Sequence, residues 1–226
     1  MYELRVRTFL LKDLKGDQSI KKISQSIITY LSKDRYFLNY HISKSYKSYC
    51  HDNLYPISKS YKKNEVYQFR IRSIDKDLVN YFLKGFSDYK DEIFKNLTVE
   101  VRIISKSIIS KIFTLSPVIL KNDSGYWRNN MSVEDFEKRI NDNIIKKYKF
   151  FENDKIKELK FYNNIKFLNS SPVPFKFKDI TLLGDKVELN INMDENSQNL
   201  AYLALGVTFS ENSTYGAGFL GYKYLD

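Results

Sequence analysis

His41 and His51 are the only side chains in this sequence whose ordinary pKa lies near neutrality, so proton transfer at neutral pH would begin with one of them. Both stand in a basic, weakly periodic stretch that carries Lys33, Arg35, Lys44, Lys47, Lys59, Lys62 and Lys63 against Asp34 and Asp52. Cys50 is the single cysteine, which excludes an internal disulfide, and one cysteine with two histidines falls short of a zinc set. No carboxylates are spaced to hold another metal, so the chemistry is expected to need no metal or other cofactor. His51 alternates with Tyr49 and Asn53 as strand residues do.

A second group lies in the tail. Of eight glycines, Gly206, Gly216, Gly218 and Gly221 fall near the end, beside Tyr215, Phe219 and Tyr222. Glycine is costly to order, so this density marks either a backbone that approaches a ligand closely or a helix C-cap at Gly206 followed by a hairpin or bulged strand.

The chain that must position these groups has 226 residues, 42% hydrophobic and 28% charged, a globular composition with room for two domains. Its net charge of +10 favours a polyanionic partner, chiefly nucleic acid. No apolar run approaches the roughly 18 to 20 residues of a membrane span, and the start lacks a signal-peptide pattern, so a cytoplasmic protein without membrane contact is expected.

Residues 2–8 alternate apolar and charged as a strand, with Glu3, Arg5 and Arg7 on the outer face. Ile20, Ile23, Ile27 and Leu31 recur at helical spacing from Ser19 to Lys33, with Tyr30 at the edge of the stripe. Residues 47–54 form a short strand, 66–72 a second alternating strand with Arg70 and Arg72 outward, 75–86 a helix, and 98–103 a strand. Strand, helix, strand, strand, helix, strand is the ferredoxin-like unit, whose first and third strands are central neighbours. Arg5, Arg7, Arg70 and Arg72 then share the sheet face away from the helices. They stand where RNA-recognition versions of this fold carry stacking aromatics, and either contact phosphate or pair with Glu3 and Glu100.

The second half repeats the pattern. Residues 108–120 are strand-like, broken by Ser116-Pro117. Ser132 and Asp135 resemble a capping box before the helical stripe Phe136, Ile140, Ile144 and Tyr148. Strands are expected over 156–162, 175–183 and 187–191, with a turn at Gly184-Asp185. A short helix over 199–205 ends at Gly206, and a last strand covers 219–224. The fold class is therefore α+β, with tandem ferredoxin-like (RRM-like, βαββαβ) domains over residues 1–105 and 106–226.

These residues together resemble the Cas6 family of CRISPR-associated endoribonucleases, members of the RAMP superfamily that cut precursor CRISPR RNA within its repeats. Lys47-Ser48-Tyr49-Cys50-His51-Asp52-Asn53-Leu54-Tyr55-Pro56 is similar to the family's Lys-Pro-Tyr-Thr-Phe-Ser-Pro-Leu stretch, and residues 69–75 to the strand and helix start that follow it. Thr114-Leu115-Ser116-Pro117-Val118 resembles its mid-chain Ser-Pro motif, and the tail its glycine-rich loop. Gly216-Ala217-Gly218-Phe219 matches the second half of that loop. The first half is reduced to Gly206, and the residues between carry no lysine or arginine, which leaves backbone amides to meet phosphate.

The resemblance implies a metal-independent endoribonuclease that makes mature crRNA by 2′-OH attack, leaving 2′,3′-cyclic phosphate and 5′-OH ends. It implies His41 as general base or acid, Lys47 as stabiliser of the phosphorane with Lys44 as rival, and Tyr30 orienting the 2′-OH or phosphate. RNA binding falls to Lys44, Arg5, Arg7, Arg70, Arg72, Gly216 and Gly218. The implied partners are repeat RNA or crRNA and other Cas effector-complex subunits, in a monomer or homodimer. The alternative is a crRNA-binding subunit of an effector complex that does not cut.

Overall fold

The computed structural model describes residues 1–120, 122, 125–152, 156 and 159–225. The chain divides into two compact units, one of residues 1–104 with Thr214–Gly216, the other of residues 105–213 with those from Ala217 onward.

The first unit runs β1 (Tyr2–Leu10), β2 (Leu14–Lys15), α1 (Gly16–Leu31), α2 (Arg35–Ile42), β3 (Tyr49–His51), β4 (Ser60–Tyr61), β5 (Val66–Ser73), α3 (Lys76–Gly85) and β6 (Phe94–Ile103). Its main sheet has the order β3-β5-β1-β6, and β2 pairs with β4 in a small ribbon. The alternation in β1 puts Leu4 and Val6 wholly inside, where each contributes on the order of 1.5–3 kcal/mol, and leaves Arg5 and Arg7 exposed. Ile23, Ile27 and Leu31 of α1 and Leu78, Val79 and Phe82 of α3 close the core over that face. Asp75 starts α3 by accepting from the Asp77 and Leu78 amides at 2.9 and 3.1 Å.

The second unit runs β7 (Ile109–Thr114), a 3₁₀ turn (Trp127–Asn129), α4 (Val133–Glu152), β8 (Tyr162–Phe167), β9 (Val173–Phe177), β10 (Ile180–Gly184), β11 (Val187–Ile191), α5 (Glu195–Val207) and β12 (Leu220–Tyr224). Its sheet order is β12-β7-β11-β8, with β9 and β10 as a separate hairpin. Ser132 and Asp135 form the expected capping box, with the Asp135 amide donating to Ser132 Oγ at 3.1 Å. With the inserted pieces set aside, each unit is a βαββαβ fold whose first and third strands are central, so the chain is α+β with tandem ferredoxin-like domains.

Beyond shifts at element ends, such as the expected strand over 47–54 shortening to Tyr49–His51 and that over 98–103 beginning at Phe94, four details differ from the sequence reading. Residues 35–42 are helical because the Asp34 carboxylate caps them, accepting from the Tyr36 and Phe37 amides at 2.8 and 3.2 Å. The expected strand over 175–183 is two strands, folded back at Lys178, whose φ of 50° makes the turn. The expected strand over 156–162 lies partly outside the described residues, and the observed strand begins at Tyr162. The last helix is longer than 199–205: Asp194 caps it, it passes through Gly206, and it ends at Thr208, whose φ of 53° takes the role expected of Gly206. Among the described residues no helix is long and apolar enough to cross a membrane.

Candidate active site

His41 lies in the last turn of α2, half-buried, with its Nδ1 enclosed and without a hydrogen-bond partner among the described residues. Burial, and then the Lys47 ammonium nearby, hold its pKa below the ordinary histidine value. The imidazole is therefore neutral at physiological pH, the form that accepts a proton.

Lys47 is built into the turn that follows α2. Its Nζ donates to the Ser43 carbonyl, Ser43 Oγ and the Ser45 carbonyl at 2.8, 2.9 and 2.9 Å. It also lies 5.2 Å from the centre of the Tyr40 ring, whose hydroxyl is 2.8 Å from Ser48 Oγ. Helix end, lysine and the start of β3 are thus tied together, which fixes the ammonium near His41. Lys44 is exposed beside them. Burial lowers the pKa of Lys47.

Tyr30 is placed differently. It is 6% exposed, with ring centres of Tyr81, Phe86 and Tyr89 at 4.9, 4.8 and 5.4 Å, and its hydroxyl donates to the Tyr81 carbonyl at 3.2 Å. Burial pushes its phenol up to about 12. The helical stripe turns this side chain inward with Ile27 and Leu31, so it anchors α1 in an aromatic core.

The four arginines share one face as expected. Register sets Glu3 opposite Arg72 and Arg102, Arg5 opposite Arg70 and Glu100, and Arg7 opposite Gln68 and Thr98. Glu3 is wholly buried and accepts from Arg72 Nε and Arg102 Nε, each at 2.8 Å, with Arg5 Nε at 3.6 Å. The guanidiniums beside Glu3 hold its pKa below the ordinary value, against the effect of burial. Arg70 pairs with Asp52, Nε to Oδ2 at 2.5 Å, and Asp52 also accepts from the Arg70 amide. Asp52 and Tyr40 had no signal in the sequence. Asp52 acts across strands, and Tyr40 shows its role only once α2 is seen to be a helix.

In the tail, Lys147 of α4 is 4% exposed and donates to the Val207, Thr208 and Ser210 carbonyls at 2.9, 2.8 and 3.1 Å. The Gly218 amide donates to the Pro117 carbonyl and the Phe219 amide to Ser116 Oγ, both at 2.8 Å, so the Ser-Pro motif and the glycine-rich loop meet. Gly216 has φ +88°, and a Cβ there would stand 2.6 Å from Ile20 Cγ1 and 2.8 Å from His51 Cε1. Gly218 has φ +67°, and its Cβ would stand 2.4 Å from Ser210 Cβ. Both glycines are buried, and the space they leave is filled by the protein itself. His51 is wholly buried, with Nε2 2.8 Å from Ser24 Oγ and Nδ1 2.9 Å from the Asp52 carbonyl. Burial pushes its pKa down to about 4, against hydrogen bonds to the Asp52 and Thr214 backbones. Among the described residues no three His, Cys, Asp or Glu side chains are grouped to hold a metal ion.

Residues 95–210 match the family model described as CRISPR associated protein Cas6, C-terminal, which is just over half of the chain. The CRISPR-associated endoribonuclease Cas6 2 of Methanocaldococcus jannaschii is 25% identical over 152 residues, covering 63% of each chain. This chain thus spans less than two thirds of that curated relative's length. A solved structure described as an RAMP protein binding different RNA substrates superposes with a TM-score of 0.74 at 14% identity, over 99% of this chain and 100% of the other. Another, described as CRISPR associated protein Cas6, gives 0.72 at 15% identity, over 98% and 99%. The structures carry the fold and the family match carries the kinship: this chain belongs to the Cas6 family of CRISPR-associated proteins.

Proposed function

We propose that this chain is an endoribonuclease that cleaves CRISPR repeat RNA without a metal ion. The observation that carries the reading is a half-buried imidazole, His41, whose Nδ1 has no hydrogen-bond partner among the described residues, held beside the Lys47 ammonium at the end of α2. The endoribonuclease name of the Methanocaldococcus relative agrees with it.

In this mechanism His41 takes the proton of a ribose 2′-OH, and that oxygen attacks the adjacent phosphorus. The bond from phosphorus to the 5′-oxygen breaks, the 5′-oxygen takes up a proton from water or from the imidazolium that His41 has become, and the ends are a 2′,3′-cyclic phosphate and a 5′-OH. Lys47 places positive charge where the phosphorane gathers negative charge, and donates to it by exchanging one of the three hydrogen bonds it gives to Ser43 and Ser45, an effect worth about 10²–10³ in rate for one donor. Tyr30 serves from behind, holding α1 in the core, because its hydroxyl is already given to Tyr81. Gly216 and Gly218 shape the tail through close packing, and Arg5, Arg7 and Lys44 supply exposed charge for the RNA backbone.

The test is incubation with repeat RNA in EDTA, using wild type, His41→Ala and an RNA with a 2′-deoxy substitution at the cut site. Cleavage by wild type alone, lost in both other arms, is expected. Cleavage of the deoxy RNA refutes 2′-OH attack, and activity retained by His41→Ala refutes the assignment of the base. Binding without cleavage by wild type leaves the role of a crRNA-binding subunit.

A further inference from the structure

On the charged sheet face of the first unit lies an open cavity of about 240 Å³ lined by Arg5, Asp52, Tyr55, Gln68, Phe69 and Arg70. The backbones of Tyr55 and Gln68 exchange both hydrogen bonds, at 2.7 and 3.2 Å, so their side chains rise next to each other. Arg5 stands opposite Arg70 and Arg7 opposite Gln68. Asp52, 3% exposed, grips both the amide and the guanidinium of Arg70. Arg70 in turn lies 5.5 Å from the centre of the Tyr55 ring, and Tyr55 remains 39% exposed.

The charge here is unbalanced. Arg5, Arg7, Arg70, Arg72 and Arg102 share the face with Glu3, Glu100 and Asp52, so two positive charges exceed the carboxylates. Arg72 and Arg102 hold Glu3 at 2.8 Å with Arg5 at 3.6 Å, Asp52 holds Arg70, and Arg5 and Arg7 remain exposed. A surplus of guanidinium beside an aromatic face and an amide side chain is the chemistry that takes a phosphate, a base plane and a base edge. The volume lies below the roughly 300–1,000 Å³ of a drug-sized site, which suits one nucleotide and not a helix.

We propose that this cavity receives one unpaired nucleotide of the bound RNA, with Arg5 and Arg7 on its phosphate, Tyr55 stacked on its base and Gln68 reading the base edge. Asp52 is a positioning residue that locks Arg70 under the Tyr55 ring. The inference rests on the RNA reading above and adds that the protein distinguishes a base at a single position.

The test is binding of repeat RNAs that carry one abasic site at each position in turn, by wild type, Tyr55→Ala, Tyr55→Phe and Gln68→Ala. One abasic position is expected to weaken wild-type binding about tenfold, the scale of one base on an aromatic platform. The same substitution adds nothing in Tyr55→Ala, and Tyr55→Phe behaves as wild type. Gln68→Ala relaxes base preference at that position only. If Tyr55→Ala weakens every RNA equally and no abasic position couples to it, the contact is with the backbone and the pocket is refuted. If wild type binds repeat RNA no better than scrambled RNA, the parent function fails instead. The same abasic series on unrelated single-stranded RNA then decides the pocket by itself.

Discussion

Replacing Gly216 by alanine separates two costs that a single glycine conceals. At φ +88° an L-residue is strained by roughly 1–2 kcal/mol, while loss of glycine's freedom in the unfolded chain returns about 0.4–1 kcal/mol. The new Cβ would also meet Ile20 Cγ1 at 2.6 Å and His51 Cε1 at 2.8 Å, overpacking that costs about 1–3 kcal/mol. The net expectation is a loss of about 1–4.5 kcal/mol. Gly125 is a built-in control, since its φ is +91° but nothing among the described residues lies within 4 Å of its Cβ position. Gly125→Ala should cost only the strain remaining after the unfolded-state gain, about 0–1.5 kcal/mol. Urea unfolding followed by far-ultraviolet circular dichroism reads the difference as a midpoint about 1 M lower for Gly216→Ala. Equal midpoints for the two variants would refute the claim that residue 216 is glycine for the sake of Ile20 and His51.

Glu3→Gln removes the carboxylate shared by Arg72 and Arg102 and should destabilise by about 3–5 kcal/mol in urea unfolding at neutral pH. Because the native pKa of Glu3 is depressed, its contribution is present above the unfolded-state value and is lost as pH falls through the native one, so wild type and variant converge in acid. Lys47→Met should slow single-turnover cleavage about 10²–10³-fold and, with its charge gone, raise the pKa of His41, moving the acid limb of the rate profile to higher pH. Tyr30→Phe should cost about 1 kcal/mol of stability for its one hydrogen bond and leave cleavage within about twofold. A hundredfold loss in that variant would return Tyr30 to the chemistry.

Periodicity made both sheets legible. The alternation in β1 and β5 and the apolar stripes of α1, α3 and α4 state which face is buried, and sheet order follows from connection rules. What failed was punctuation carried by side chains other than glycine and proline. Asp34 starts α2, Lys178 folds β9 onto β10, and Thr208 ends α5, each by a local conformation that its residue type permits without announcing it. The site was half legible for a related reason. His41 and Lys47 are named through the family resemblance rather than by the chain's own pattern, whereas the inward turn of Tyr30 and the grip of Asp52 on Arg70 depend on residues brought together from distant strands and helices.

Thr214–Gly216 belongs to the first unit although it is made long after the rest of that unit. During synthesis at about 5–20 residues per second, the first unit must wait some 5–20 seconds for these last three residues. Until they arrive, His51 and Ile20 lack the backbone that covers them. A fragment ending at residue 104 should therefore leave Ile20 and His51 uncovered at that spot.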